Sequence, residues 1–261
     1  MRILICLFLI VTESSPIFAQ NVEAKKYETY LQYINYFKFK YAVKVYQETK
    51  LPLNIPDLWT TNHFEGSVRK AENFFELKIT GKALTSKEAS SISFASIVCH
   101  ELGHILGGSP KQTMPGVEWS STEGQSDFWA AKSCLPEFFQ DVVLDSQSAF
   151  YDRALNQELL LKFPELLSTP KAFPEDYAFC KQDLKCLLVV SAGVELINFF
   201  DYYDYVDLPK PALNTPESDA KEFKPNSYPS LQCRLDTYVR GGLCQIENNC
   251  EAPRCWLPME M

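Results

Sequence analysis

In Ile97-Val98-Cys99-His100-Glu101-Leu102-Gly103-His104-Ile105 a metal-ligand spacing and a helical apolar period coincide. His100 and His104 stand four residues apart, so on a helix their imidazoles lie one above the other and reach a single Zn²⁺, with Glu101 beside them. Thr85-Ser86-Lys87-Glu88 has the Thr-x-x-Glu form of a capping box and places the helix start there. Ile92, Ala95, Val98, Leu102 and Ile105 then recur at three- and four-residue spacing as a core-facing stripe, and Leu102 points away from the ligand face. Gly107-Gly108, with Pro110 just beyond, stop the helix.

A catalytic zinc takes three protein ligands and keeps one position for water. Glu123, in Ser121-Thr122-Glu123-Gly124-Gln125-Ser126-Asp127, opens a second expected helix. Asp127, one turn on, shares its face and suits the free ring N–H of a ligand His, which fixes the tautomer. Glu118 is the rival. It lies in a loop and has Thr122, not a carboxylate, four residues on, so the ligand set favoured is His100, His104 and Glu123. In that arrangement Glu101 is the general base that takes a proton from the attacking water.

His100-Glu101-Leu102-Gly103-His104 followed by Glu123-x-x-x-Asp127-x-x-Ala130 resembles the glutamate zincins, most closely the HtpX, Oma and CAAX prenyl protease family of zinc metallopeptidases. That family has a further element, His-Pro followed by an Arg six residues after the His. Here it reads Tyr228-Pro229-Ser230-Leu231-Gln232-Cys233-Arg234, with Pro and Arg in register and Tyr228 in place of the His. The resemblance spans about residues 64 to 234 and is specific at three short motifs. It implies an α+β fold, a mainly helical zincin-like metallopeptidase domain with a small β-hairpin or sheet beside the metal helix. It also implies one Zn²⁺ per chain, Tyr228 as a phenolic substitute for an oxyanion-stabilising His, and Arg234 orienting the site or binding substrate. Against these stand a Tyr228 that only packs beside Pro229 and an Arg234 that caps a helix or faces solvent.

The flanking sequence sets the setting for that chemistry. Met1 to Ala19 has the form of a secretory signal: Arg2, an apolar run from Ile3 to Val11 shorter than the ~18 residues of a membrane span, and Ile17-Phe18-Ala19 as a cleavage site. Residues 20–261 then read as a single metallopeptidase domain, without a later apolar run long enough to span a bilayer. Nine cysteines are present, and Cys6 leaves with the signal. The remaining Cys99, Cys134, Cys180, Cys186, Cys233, Cys244, Cys250 and Cys255 form an even set, as expected of disulfides in an exported, periplasmic or secreted chain of bacterial type. Plausible pairs are Cys180 with Cys186, Cys250 with Cys255, and Cys99 with Cys134; the competitor is a Cys-rich second zinc site, although no C-x-x-C occurs. A net charge of −8 and the lack of a basic run argue against a nucleic-acid partner and leave a peptide or protein substrate, with oligomeric state unread.

Elsewhere, residues 24–37 suit a helix, while Phe39, Tyr41, Val43 and Val45 alternate as in a strand. Phe64 to Arg69 and Phe75 to Thr80 read as a hairpin, whose second strand either edges the cleft, where an extended peptide can pair with it, or simply covers the core. After Ala130 the chain reads mostly helical, broken at Pro136, Pro164, Pro170 and Pro174. Residues 207–229, rich in Pro, read as a long loop over the cleft, and Phe199 to Tyr205 as an aromatic cluster for core packing or a specificity pocket. His63 reads as structural or exposed. These features favour an exported zinc endopeptidase; the alternative is a non-catalytic, disulfide-stapled binding or chaperone-like module that retains a zinc site, a choice to which Tyr228 lends weight.

Overall fold

The computed structural model describes residues 16–163, 175–204, 210–248 and 250–258, with the backbone alone for 16–22 and 203–204. The signal reading falls largely outside these residues. Within the described residues α1 (Pro16–Thr49) runs without interruption through the expected cleavage point.

That helix overturns the strand expected over Phe39 to Val45. Tyr30, Tyr33, Tyr36, Phe37, Tyr41 and Val45 are buried at helical spacing, whereas Phe39 and Val43 are 74% and 62% exposed. A strand would have put Phe39, Tyr41, Val43 and Val45 on one face; the helix sends the first and third outward and the other two into the core. The tyrosines also satisfy their hydroxyls across the core, Tyr30 donating to the Ile79 carbonyl (2.9 Å), Tyr33 to Asp152 (2.8 Å) and Tyr41 to Glu137 (3.0 Å).

The expected hairpin is present. β2 (Gly66–Lys70) and β3 (Phe75–Ile79) are antiparallel, with Gly66 opposite Ile79, and β1 (Leu53–Asn54) joins β3 in parallel to give the order β1-β3-β2. β3 is therefore the middle strand, not the cleft edge. Its alternation buries Phe75, Leu77 and Ile79, and β2 brings Gly66 to the cleft.

Thr85 does not start the metal helix. It ends a short helix, α2 (Lys82–Thr85), and its hydroxyl donates back to the Gly81 carbonyl. α3 (Ser91–Leu106) is capped by Ser90 and Ser93, which exchange side-chain to backbone bonds of 3.0 and 2.9 Å. A box closed by a second Ser lacks the Glu/Gln signature that drew attention to Glu88. Every residue from Ile92 to Ile105 is buried, so the stripe understated α3, which is the central helix of the fold. Gly107 closes it, as expected.

α4 (Glu123–Trp129) continues through a π-helical turn (Ala130–Cys134), α5 (Leu135–Phe139) and a second π-helical turn (Gln140–Leu144). Pro136 thus breaks nothing: the wide turn just before it, where Leu135 N–H reaches Ala130 O, relaxes the ladder at the missing donor. α6 (Arg153–Lys162) stops just before Pro164, which with Pro170 and Pro174 lies outside the described residues. α7 (Leu184–Asp204) and α8 (Leu231–Leu243) pack extensively on each other, and α7 also packs on α3. Among the described residues no helix is long and apolar enough to cross a membrane.

Disulfides join Cys99 to Cys134, Cys180 to Cys186, Cys233 to Cys255 and Cys244 to Cys250. The first two pairs match expectation. Cys250 with Cys255 does not: Cys233 on α8 takes Cys255, and Cys244, which caps the end of α8, takes Cys250. All eight cysteines from Cys99 to Cys255 are thereby paired, which excludes a Cys-rich second zinc site built from them.

Candidate metal centre

α3 supplies His100 and His104, and α4 supplies Glu123 at its first position, where Thr122 caps the helix and accepts from Gln125 N–H. The two helices approach so closely at Gly103 that a Cβ there would lie 2.6 Å from the Ser126 carbonyl oxygen. Glycine at this position lets Glu123 reach both rings.

His100 Nε2 lies 3.1 Å and His104 Nε2 3.6 Å from the same Glu123 oxygen, Oε2, and all three residues are buried. One ligand atom from each lies within 4.8 Å of the others, a group that could hold a metal ion. The donors fit such an ion because both outer ring nitrogens are engaged elsewhere. His100 Nδ1 is 2.7 Å from Asp127 Oδ1, and His104 Nδ1 is 2.9 Å from the Ser121 carbonyl, with the Ser120 and Ser126 hydroxyls each 3.0 Å away. An Nδ1–H held by an acceptor turns the Nε2 lone pair inward. Glu118, the rival ligand, is exposed and accepts from Gly116 N–H instead.

Asp127 is fully buried and held from two sides. Arg234 on α8 donates from Nε to Oδ2 (2.7 Å) and from Nη2 to Oδ1 (2.9 Å), the paired geometry at which guanidinium and carboxylate bind best. Burial acts to raise the Asp127 pKa, but Arg234 and then His100 outweigh it and hold the carboxylate well below its ordinary range. Burial likewise works against charge on His100, yet Asp127 and Glu123 push the metal-free imidazole up to about 10. Arg234 reaches the imidazole through Asp127, and its plane is covered by the Phe200 ring at 4.6 Å and the Tyr228 ring at 5.9 Å.

Glu101 is buried beside the ligands and forms part of the wall of an adjoining cavity; burial, the largest influence on it, raises its pKa. Tyr228 stands at the same cavity but is 71% exposed. Partial burial and the Glu123 and Glu101 carboxylates push its phenol up to about 12; solvent screens much of that shift, and the direction alone keeps the proton on. Of the aromatic cluster, Phe199 is core and Phe200 packs against the core and lines the cavity, while the side chains of residues 203–205 lie outside the described residues. The Pro-rich strap does border the cleft, through Lys210, Pro211, Thr215, Glu217 and Tyr228. His63 is exposed. Sequence reasoning missed the supports of His104, a backbone carbonyl and two serine hydroxyls that no motif spacing marks, and Asn226, which links the strap to Thr113.

No protein-family model, curated protein or solved structure matches this chain.

Proposed function

We propose that this chain is an exported zinc endopeptidase of the glutamate-zincin type, related to the HtpX, Oma and CAAX prenyl protease family. The observation that carries the reading is the convergence of His100 Nε2, His104 Nε2 and Glu123 Oε2 next to Glu101 at the wall of an open cavity. Asp127 on the outer nitrogen of His100 supports the same kinship, since it gives the Glu-x-x-x-Asp spacing a physical role.

When bound to His100, His104 and Glu123, zinc supplies a Lewis acid that polarises a carbonyl and lowers the pKa of water toward ~7. Glu101 takes the proton of the attacking water as its oxygen bonds to the scissile carbon, then delivers it to the amide nitrogen as the C–N bond breaks. Tyr228 donates its phenolic hydrogen to the oxygen on which charge develops. Arg234 is a positioning residue: it fixes Asp127, and Asp127 fixes the ring of His100. Zinc is favoured over harder divalent ions by the two imidazole donors. Four disulfides agree with export into an oxidising compartment.

The test is to incubate zinc-loaded protein with an unfolded polypeptide, with and without a chelator, alongside metal analysis of two variants. Chelator-sensitive cleavage is expected. Glu123→Ala should lose most zinc and Glu118→Ala should keep it; full retention in Glu123→Ala would sink the ligand assignment. Tyr228 in place of His, and its 71% exposure, favour a second reading, a stapled binding module. Zinc bound at one per chain without cleavage would establish that one instead.

A further inference from the structure

The cavity beside Glu101 measures about 850 Å³ and shares His100 and Glu101 with the metal centre, so whatever fills it lies next to the reacting bond. Its wall is mostly carbon: Phe64 from the lead into β2, Ile97 from α3, Leu196 and Phe200 from α7, and Leu231 from α8. The charges at its rim are already engaged. Asp201 faces Lys210 at 3.7 Å, Glu217 bonds the Ser230 hydroxyl, and the Arg234 guanidinium is committed to Asp127. The Glu101 carboxylate in the wall is kept for the attacking water on the peptidase reading, so a charged side chain entering here would shed water and meet otherwise only partners already paired, whereas an apolar one would gain by leaving water. The volume falls within the ~300–1,000 Å³ of pockets that enclose a small-molecule-sized group, so an aromatic ring enters without rearrangement.

Resting on the peptidase reading, we infer that the cleft selects peptides with a bulky apolar side chain, aromatic or large aliphatic, directly beside the scissile bond, and that this side chain occupies the cavity. Of the five carbon-bearing residues just named, Phe64, Leu196 and Phe200 come from outside all three motifs, while Ile97 stands three residues before His100 and Leu231 lies within the Tyr228–Arg234 motif. The lead into β2 and α7, which carry none of the catalytic residues, therefore contribute most to specificity.

The experiment uses zinc-loaded Glu101→Gln, in which binding is measured without turnover, and hexapeptides that differ only in Phe, Leu, Ala, Lys or Glu at one central position. Calorimetry should give the Phe and Leu peptides at least about tenfold tighter binding than the Ala peptide, with Lys and Glu no better than Ala. Equal affinities, or a preference for Lys or Glu, would overturn the inference whether or not the wild type cuts. Wild-type protein that fails to cleave while Glu101→Gln keeps the Phe preference would sink the peptidase reading alone. Thr215 is exposed on the rim, so Thr215→Trp should place an indole in the cavity mouth, compete with the peptide's ring and cut the Phe-to-Ala ratio to within about threefold. An undiminished ratio in that variant would place the ring elsewhere and end the proposal.

Discussion

The metal cradle and the strap of residues 210–230 border one cavity but are held by different means. In the cradle His100, His104, Glu123 and Asp127 are all buried, each outer imidazole nitrogen has a fixed partner, and Cys99–Cys134 joins α3 to the helical run that carries Glu123. The strap lies largely at the surface. It is tied by scattered hydrogen bonds: Asn226 with Thr113 in both directions at 2.8 Å, Ala220 N–H to the Arg254 carbonyl, and Ala212 with Gln232. On the peptidase reading the contrast separates two demands, because ligand geometry must be held within a fraction of an ångström whereas a substrate-facing wall must admit chains of differing shape.

Variants sharpen that contrast, beginning with the largest expected effect. Glu101→Gln keeps the ligand set and removes proton transfer, so cleavage should fall ~10²- to 10⁴-fold at unchanged zinc content. Substantial residual cleavage by the metal-replete variant would take the base role from Glu101.

Tyr228→Phe tests whether the strap contributes to the chemistry. Loss of one oxyanion donor should lower kcat by ~10²-fold with zinc retained; an unchanged kcat would confine chemistry to the cradle. Tyr228→His should keep measurable activity and acquire a pH dependence near ~6.5, since imidazole titrates there and phenol does not.

Within the cradle, Asp127→Asn should weaken zinc binding by ~10- to 100-fold in a competitive chelator titration. Wild-type affinity would show that the ring of His100 is oriented without Asp127. Smallest is Asn226→Ala, which removes an exposed pair of bonds worth about 1 kcal/mol or less. Amide exchange should quicken across the strap and stay slow in α3. Equal protection in both variant and wild type would mean that the strap is held by something other than this latch.

The same contrast explains what was legible in the sequence. The cradle depends on i, i+4 relations within helices, so His100 with His104 and Glu123 with Asp127 could be read from spacing, as could the preference for Glu123 over Glu118. Arg234 was visible through the family motif, but its partner was not, because Asp127 is far away in sequence and the pair forms only when α8 packs on α4. Local patterns misled wherever a tertiary contact used the same residues differently. Tyr41 and Val45 alternate with outward-facing Phe39 and Val43 on a helix, Thr85 imitates a cap that Ser90 actually provides, and Cys255 pairs with Cys233 instead of its neighbour Cys250. The cavity wall was least legible, since it assembles from a hairpin, three helices and a strap with no shared period.

Trp256 packs its ring over Gly124, where a Cβ would come within 2.3 Å of the indole, and its Nε1–H donates to Thr237 at 3.1 Å. Gly124 adjoins the ligand Glu123, and Cys255 beside Trp256 is bonded to Cys233, next to Arg234. The backing of the ligand helix thus comes from a part of the chain translated long after the ligands themselves, and it is sealed by an oxidation step. A chain still emerging from the ribosome, or one held in a reducing compartment, carries every candidate ligand without the wall behind them, so the site is not backed until Trp256 has been made and Cys255 has been oxidised onto Cys233.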